Sequence, residues 1–301
     1  MTMETRLYYY ALGAGIPYNA VNSIANAVDE IRNASDIGKR RRVAEQVLKD
    51  SPWQGTIPKE RGYALIGKDT LPGTKAAMEA ARAVIEERRK QGAKAKKSNP
   101  FIQCERPEDL LNHPALVEFA LSDALLHMAT DYYGMVPQIK EIGIWLTPPQ
   151  TRQFGSQLYH LDKPEGKLLK LFINLDDHDA SSGPLTILPA DVSSKVRRAT
   201  NYEAIYYRDD GRIADDKVFE ICSPTDQVVL GGAAGTGVIA DTSNCLHFGS
   251  RTSLGERKML TVSFLLPHKA RDRRSPLFDL IAEPKDELRK LVLAGAQFRK
   301  G

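Results

Sequence analysis

The chain has 301 residues, 42% of them hydrophobic and 27% charged, the proportions of a globular protein and not of a disordered or fibrous one. A formal net charge of +4 gives no ground for a nucleic-acid partner. No apolar run approaches the ~20 residues that span a membrane, and the N-terminus lacks the charged-then-apolar pattern of a secretory signal.

Residues 20–34, "AVNSIANAVDEIRNA", space Val21, Ile24, Val28 and Ile31 at three and four, one helical face. "KRRRVAEQVLKD" is a second predicted helix, ended near Pro52. "RGYALIG" (61–67) is a short strand, and the Ala/Glu/Arg-rich run that follows to residue 90 is a strong helix. Two helices are expected over 106–134, the second starting near Pro114, a residue suited to a first turn. The basic runs "GKRRR" (38–42) and "RRKQGAKAKK" (88–97) read as solvated helix ends and a polar loop. His113 and His127 read as helix-end or packed histidines.

From residue 138 the pattern is β. "IKEIGIWLT", "SQLYHLD", "LLKLFINL", "PLTILPA", "DKVFEIC", "QVVLG", "GTGVIAD" and "RKMLTVSFLLP" are short, apolar and bounded by Gly, Pro, Asp and Ser. "SPLFDLIAEPKDELRKLVLAGAQF" closes the chain as amphipathic helix. The expected class is α+β: a jelly-roll or cupin-like barrel with helices packed on one sheet. The expected divisions are a helical extension over 1–59 and a second unit over 60–301. The β core of that unit lies at about 138–267, and its C-terminal helical segment at about 276–300. The terminal helices could serve as a lid or as a contact with a second copy.

Side chains at i and i+2 share a strand face. His160 and Asp162 therefore project to one side and can chelate one ion. In "LLKLFINL", Leu169, Leu171, Ile173 and Leu175 share one face, and Lys170, Phe172 and Asn174 the other. If helices cover the leucines, Lys170 and Asn174 face the barrel interior, where an ammonium needs an anion. The reverse assignment leaves Lys170 in solvent, and this strand alone does not decide. In the last strand, Leu260, Val262 and Phe264 oppose Arg257, Met259, Thr261 and Ser263. Arg257 beside two hydroxyls suits a carboxylate ligand.

A third metal ligand is available at His247, just after a short apolar strand. His178, in "LDDHDASSG", and His268, in "PHKARDRR", read as surface residues. Two imidazoles and one carboxylate, with open positions left on the metal, are the ligand set of non-haem Fe(II) oxygenases. The three cysteines, Cys104, Cys222 and Cys245, lack CxxC spacing and suit a reducing, cytoplasmic setting rather than a disulfide framework.

The segment from "RGYALIG" to "LTVSFLLP" resembles the phytanoyl-CoA dioxygenase family of Fe(II)/2-oxoglutarate oxygenases. The matching pieces are "GYALIG" before a long helix, "SQLYHLD", "LFINLDDHDASSGPLTILPAD" and "CLHFGSRTSLGERKMLTVSFL". The resemblance implies that His160, Asp162 and His247 hold iron. It also implies that Arg257, ten residues past His247, anchors the far carboxylate of 2-oxoglutarate. Lys170, Asn174 and Thr261 are candidate helpers in holding the cosubstrate. Trp145, Arg152, Gln157, Cys245 and Arg251 are candidate pocket-liners. The implied reaction uses Fe(II), 2-oxoglutarate and O2, releases succinate and CO2, and attacks a C–H bond of a small polar or anionic molecule. Related halogenases replace the ligand carboxylate with a small residue, so Asp162 implies hydroxylation, desaturation or ring rearrangement. The chain departs from the family pattern in "LPADVSSKV", which lacks the expected histidine after "LP", and residues 1–59 lie outside the resemblance. Two other readings stand beside this one: a barrel that binds a metal or small ligand without turnover, and a cupin-type metal isomerase.

Overall fold

The computed structural model describes residues 14, 24, 27–95, 100–149, 153–162, 167–209, 211–251, 254–269 and 284–294. Where it is described, at 24 and over 27–34, the first predicted helix is helical apart from a turn at Asn33, but Ile24, Val28 and Ile31 of its expected apolar face are exposed. Helix α1 (Ala34–Leu48) buries Ile37, Ala44 and Leu48. Helix α2 (Thr74–Lys90) turns Ala77, Met78, Ala81, Val84 and Ile85 inward and ends on Arg88, Arg89 and Lys90. Cations in a last turn complement the helix dipole.

The two helices predicted over 106–134 are three: α3 (Pro107–Asn112), α4 (Pro114–Ala120) and α5 (Asp123–Tyr133). Pro114 drives the residue before it out of helical geometry, and His113 stands at φ −125°, ψ 69°. Helix α5 is apolar on nearly every side and stops at Gly134, whose φ of 69° suits a residue without Cβ.

Among the described residues nine strands follow: β1 (Tyr63–Ile66), β2 (Ile102–Gln103), β3 (Gln138–Thr147), β4 (Leu168–Asn174), β5 (Thr186–Ile187), β6 (Val228–Val229), β7 (Gly237–Asp241), β8 (His247–Phe248) and β9 (Arg257–Leu265). They form a six-stranded antiparallel sheet, order β1-β7-β4-β9-β3-β2, and a three-stranded one, order β6-β5-β8. The large sheet divides by parity. Leu169, Leu171, Ile173, Leu260, Val262 and Phe264 join the helical core with Val84, Leu125 and Leu126. On the other face Phe172, Val238, Ala240 and Met259 meet Leu185 and Ile187 of the small sheet. Lys170 therefore points into the space between the sheets, as its parity with Phe172 requires.

Several sequence expectations are corrected. "DKVFEIC" is not a strand: Asp215–Phe219 form helix α8, with Asp215 and Asp216 in its first turn, where anions are favoured. A short apolar run does not by itself separate strand from helix. Two unpredicted helices, α6 (Ala190–Thr200) and α7 (Tyr202–Asp209), precede it. "SQLYHLD" is a 3-10 turn, Gly155–Gln157, followed by isolated bridges at Tyr159 and His160. Of the C-terminal helical segment, α9 (Glu287–Leu293) is described.

The basic runs are not wholly solvated. Arg40 is fully buried, and Arg88 pairs with buried Asp109 while donating to the Cys104 carbonyl at 2.6 Å. His178 and His268 are buried, not superficial. A reciprocal main-chain pair between His178 and Gly232, both bonds 2.8 Å, draws the first inward. No helix among the described residues is long and apolar enough to cross a membrane.

Candidate metal centre

His160 and His247 meet through a closely paired bridge: each donates its N–H to the other's carbonyl at 3.0 Å. Directly opposed residues present side chains to the same face, and the two ring centroids lie 4.3 Å apart. Asp162 is fixed to the turn after β7. Its N–H donates to Thr242 at 2.8 Å, and its carbonyl accepts from Ser243 Oγ at 2.6 Å. That turn is itself held by buried Asp241, which accepts from Tyr132 Oη at 2.7 Å and Asn244 Nδ2 at 2.8 Å.

One ligand atom from each of His160, Asp162 and His247 lies within 4.8 Å of the others, so the three could hold an ion. His160 Nε2 is 3.8 Å from Asp162 Oδ1, and His247 Nε2 is 3.8 Å from Oδ2. The rings' other nitrogens are occupied. His160 Nδ1 is 2.9 Å from the Leu158 carbonyl and His247 Nδ1 is 3.0 Å from that of Cys245. A carbonyl only accepts, so each Nδ1 carries the proton and each Nε2 presents its lone pair to the centre, the arrangement that orients metal-binding imidazoles.

Charge supports the same tautomers. Burial lowers the pKa of both histidines and keeps the rings neutral, although Asp162 opposes this in each. Burial alone would raise the Asp162 carboxyl. The Lys170 ammonium, 2.8 Å from Oδ2, outweighs it and holds the carboxyl well below the usual range.

The triad opens on a cavity of about 210 Å³. Its wall includes Phe101, Trp145, Thr147, Phe172, Leu185, Met259 and Thr261, and Arg257 also lines it. Arg257 is buried, and no carboxylate pairs with it among the described residues. It donates to Ser250 Oγ at 2.8 Å and reaches Met259 Sδ at 2.8 Å, while Nε has no partner. Burial pushes its guanidinium down to about 9. An unpaired buried cation is costly, and a carboxylate delivered to it would relieve that cost.

Ser250, which receives Arg257, stands at φ 57°, a left-handed conformation that costs a non-glycine residue about 1 kcal/mol or more. It is pinned there by Gln157 Nε2 on its carbonyl at 2.6 Å and by its own N–H on Gly183 at 3.2 Å. Nothing in the sequence marks Ser250, because its role depends on a bond from the Gly155–Gln157 turn. Sequence reasoning also misses Thr147, Ser156 and Phe101: Thr147 shares the Trp145 face of β3 at i+2 and is legible from the period, whereas Ser156 and Phe101 lie in segments with no period to read.

The predicted site residues divide. His160, Asp162, His247, Lys170, Arg257, Thr261 and Trp145 line the cavity. Gln157, Cys245, Arg251 and Asn174 are not among its lining residues. Gln157 braces Ser250, and Cys245 Sγ faces the carbonyls of Arg61 and Gly62 in the core. Arg251 pairs with Asp215 at 2.6 and 2.8 Å, and its guanidinium carbon lies 3.3 Å from the centre of the Phe248 ring. Asn174 turns to Thr236 and the Leu230 carbonyl. Arg152 lies outside the described residues.

Trp145 lies folded over Gly143, with Nε1 donating to Thr261 Oγ1 at 3.1 Å. A Cβ on Gly143 would stand 2.4 Å from that nitrogen and 2.5 Å from that oxygen. Gly143→Ala is therefore expected to push the indole into the cavity. The cost should be about 1–3 kcal/mol of stability, as for other overpacked interiors. The denaturation midpoint and the Trp145 emission in a Trp53→Phe background measure both effects. Unchanged emission and stability would contradict the packing described.

Two facing antiparallel sheets, a helical layer on the outer face and a buried His/Asp/His cluster define an α+β protein with a candidate metal centre. No family model matches the chain, and no curated protein is similar to it. Several solved structures align with the chain over most of its length. SnoK, described as a non-heme alpha-ketoglutarate-dependent carbocyclase from nogalamycin biosynthesis, is 18% identical at TM-score 0.45, over 85% of this chain and 95% of its own. EctD from S. alaskensis, solved with 2-oxoglutarate and 5-hydroxyectoine, is 13% identical at TM-score 0.48, over 69% and 73%. HygX from Streptomyces hygroscopicus, solved with nickel and 2-oxoglutarate, is 14% identical at TM-score 0.48, over 72% and 87%.

Proposed function

We propose that the chain is an Fe(II)/2-oxoglutarate-dependent oxygenase of the phytanoyl-CoA dioxygenase type, built on a double-stranded β-helix. Its reaction is the hydroxylation, desaturation or rearrangement of a small polar or anionic molecule, with release of succinate and CO2. The observation that carries this reading is the sharing of one cavity by the triad and a buried arginine that has no carboxylate partner among the described residues.

The donor set fits the metal. Two neutral imidazoles with proton-free Nε2 atoms and one ionised carboxylate suit a divalent first-row ion with positions left for cosubstrate and O2. When bound, that ion supplies activation of O2 coupled to decarboxylation of 2-oxoglutarate. His160, Asp162 and His247 hold it. Arg257 takes the far carboxylate, with Ser250 holding the guanidinium in place, and Thr261 offers a further hydroxyl. Phe101, Phe172, Leu185 and Met259 keep the cavity largely apolar and restrict water, which strengthens that charge pairing.

Anaerobic addition of Fe(II) and 2-oxoglutarate is expected to give a weak visible charge-transfer band, and admission of air a slow release of succinate. Asp162→Ala should lose both and weaken metal binding at least about 100-fold, since one of three charged or strong donors is gone. Metal binding with neither band nor succinate would favour a non-catalytic binding barrel. Metal-dependent turnover without O2 would favour an isomerase.

A further inference from the structure

Beside the triad stands a charged group that the ligand set does not require. Lys170 sits on the inward face of β4, between Ala240 of β7 and Ser263 of β9 in register. Its Nζ is 2.8 Å from Asp162 Oδ2 and 5.7 Å from the centre of the Phe172 ring. The other charged group facing it is Glu141, which accepts a 3.4 Å bond from Ser263 Oγ. Arg257 starts six residues before Ser263 on β9, roughly 20 Å along the strand at 3.3–3.4 Å per residue. The two cations are thus rooted apart along the sheet and held by different partners, Lys170 by Asp162 and Arg257 by Ser250.

We propose that Lys170 is a positioning residue of the metal centre rather than a cosubstrate ligand: its ammonium occupies Oδ2 of Asp162, reserves Oδ1 as the donor, and weakens the triad's affinity for divalent ions. A carboxylate with one oxygen in a charge-assisted bond binds through the other and donates less charge. A unit positive charge one carboxylate away from a divalent ion also repels it directly, and burial leaves that repulsion poorly screened. The centre thereby keeps a single carboxylate geometry, and the affinity lost to the ammonium accompanies that order. This inference rests on the proposed function only in requiring that the triad bind a divalent ion.

The test is an anaerobic Co(II) titration, read by visible absorption and by competition with a chromophoric chelator. It compares the wild-type chain with Lys170→Met, which keeps length without charge, and Lys170→Arg, which keeps charge. Lys170→Met is expected to bind Co(II) about tenfold or more tightly, a conservative figure for removing a unit charge beside a divalent one. Its Co(II) spectrum should also change as Oδ2 is freed. Lys170→Arg should stay within about threefold, because the charge is retained. Binding of 2-oxoglutarate to the Co(II)-loaded Lys170→Met protein should also stay within about threefold, since no cosubstrate bond is lost. Unchanged or weaker Co(II) affinity in Lys170→Met would overturn the proposal, as would a large loss of 2-oxoglutarate affinity alone. Should Lys170→Met fail to fold, Lys170→Gln carries the same expectations. A wild-type chain that takes up no Co(II) defeats the metal-centre reading itself, whereas uptake indifferent to residue 170 defeats only the role of Lys170.

Discussion

Arg257→Ala should raise the half-saturating concentration of 2-oxoglutarate roughly 30-fold to 1,000-fold, the range set by losing one partner of a buried charge pair worth about 2–4 kcal/mol. The expectation follows from the proposed function and from one structural fact: this guanidinium is buried with no carboxylate beside it among the described residues. Steady-state succinate release against 2-oxoglutarate concentration measures it, and binding to the Ni(II)-loaded protein separates affinity from turnover. Arg251→Ala is the internal comparison. Its guanidinium is already committed to Asp215 and the Phe248 ring, so its loss should loosen the hold on α8 and leave half-saturation within a few-fold. The opposite ranking would move the anchor to Arg251 and overturn the role given to Arg257.

The second large effect is on stability. Arg40, inside the run "GKRRR", is fully buried and donates to Val136 and Pro137 before β3 and to Leu291 and Ala294 at the end of α9. It also pairs with Asp36 at 2.7 Å. One side chain therefore caps the last turn of α9 and ties α1 to the start of the central sheet, where terminal carbonyls would otherwise lack donors. Burial lowers its pKa, and only the Asp36 carboxylate opposes this, so the cation is tolerated rather than favoured there. Arg40→Ala is expected to lose about 3–5 kcal/mol, the usual result of removing one member of a buried, hydrogen-bonded charge network. For a chain of this size that corresponds to a thermal midpoint lower by roughly 5–15 °C. Arg41→Ala and Arg42→Ala, at exposed neighbours, should stay within about 0.5 kcal/mol. Equal effects at all three positions would refute the clamp.

The charge run shows why composition misleads at such points. Three adjacent arginines look alike in sequence, and a run of like charge is read as solvated. Helix geometry then sends one of three inward, and which one is set by the helix that packs against it. His178 and His268 illustrate the same limit in reverse. Short polar surroundings predict exposure, yet a bridge to Gly232 across the chain carries His178 inside.

Period was the strongest local signal. It separated Leu169, Leu171 and Ile173 from Lys170 and Phe172, and Leu260, Val262 and Phe264 from Arg257, Met259 and Thr261, because side chains alternate across a strand whatever its partners. Those two divisions, with the order His160, Asp162, His247 and Arg257 along the chain, were determined by the sequence itself. Period could not say which face was inner, since that depends on which face the helices cover. Nor could it make Asp215–Phe219 a helix, place α6 and α7, or turn Cys245, Arg251 and Asn174 away from the cavity. Only the tertiary structure brought His247 opposite His160, set Lys170 on Asp162, and left Arg257 buried with no carboxylate beside it among the described residues. Each of these depends on pairing between segments far apart in the chain, and the registers of β4, β7, β8 and β9 that create it are written in no single stretch.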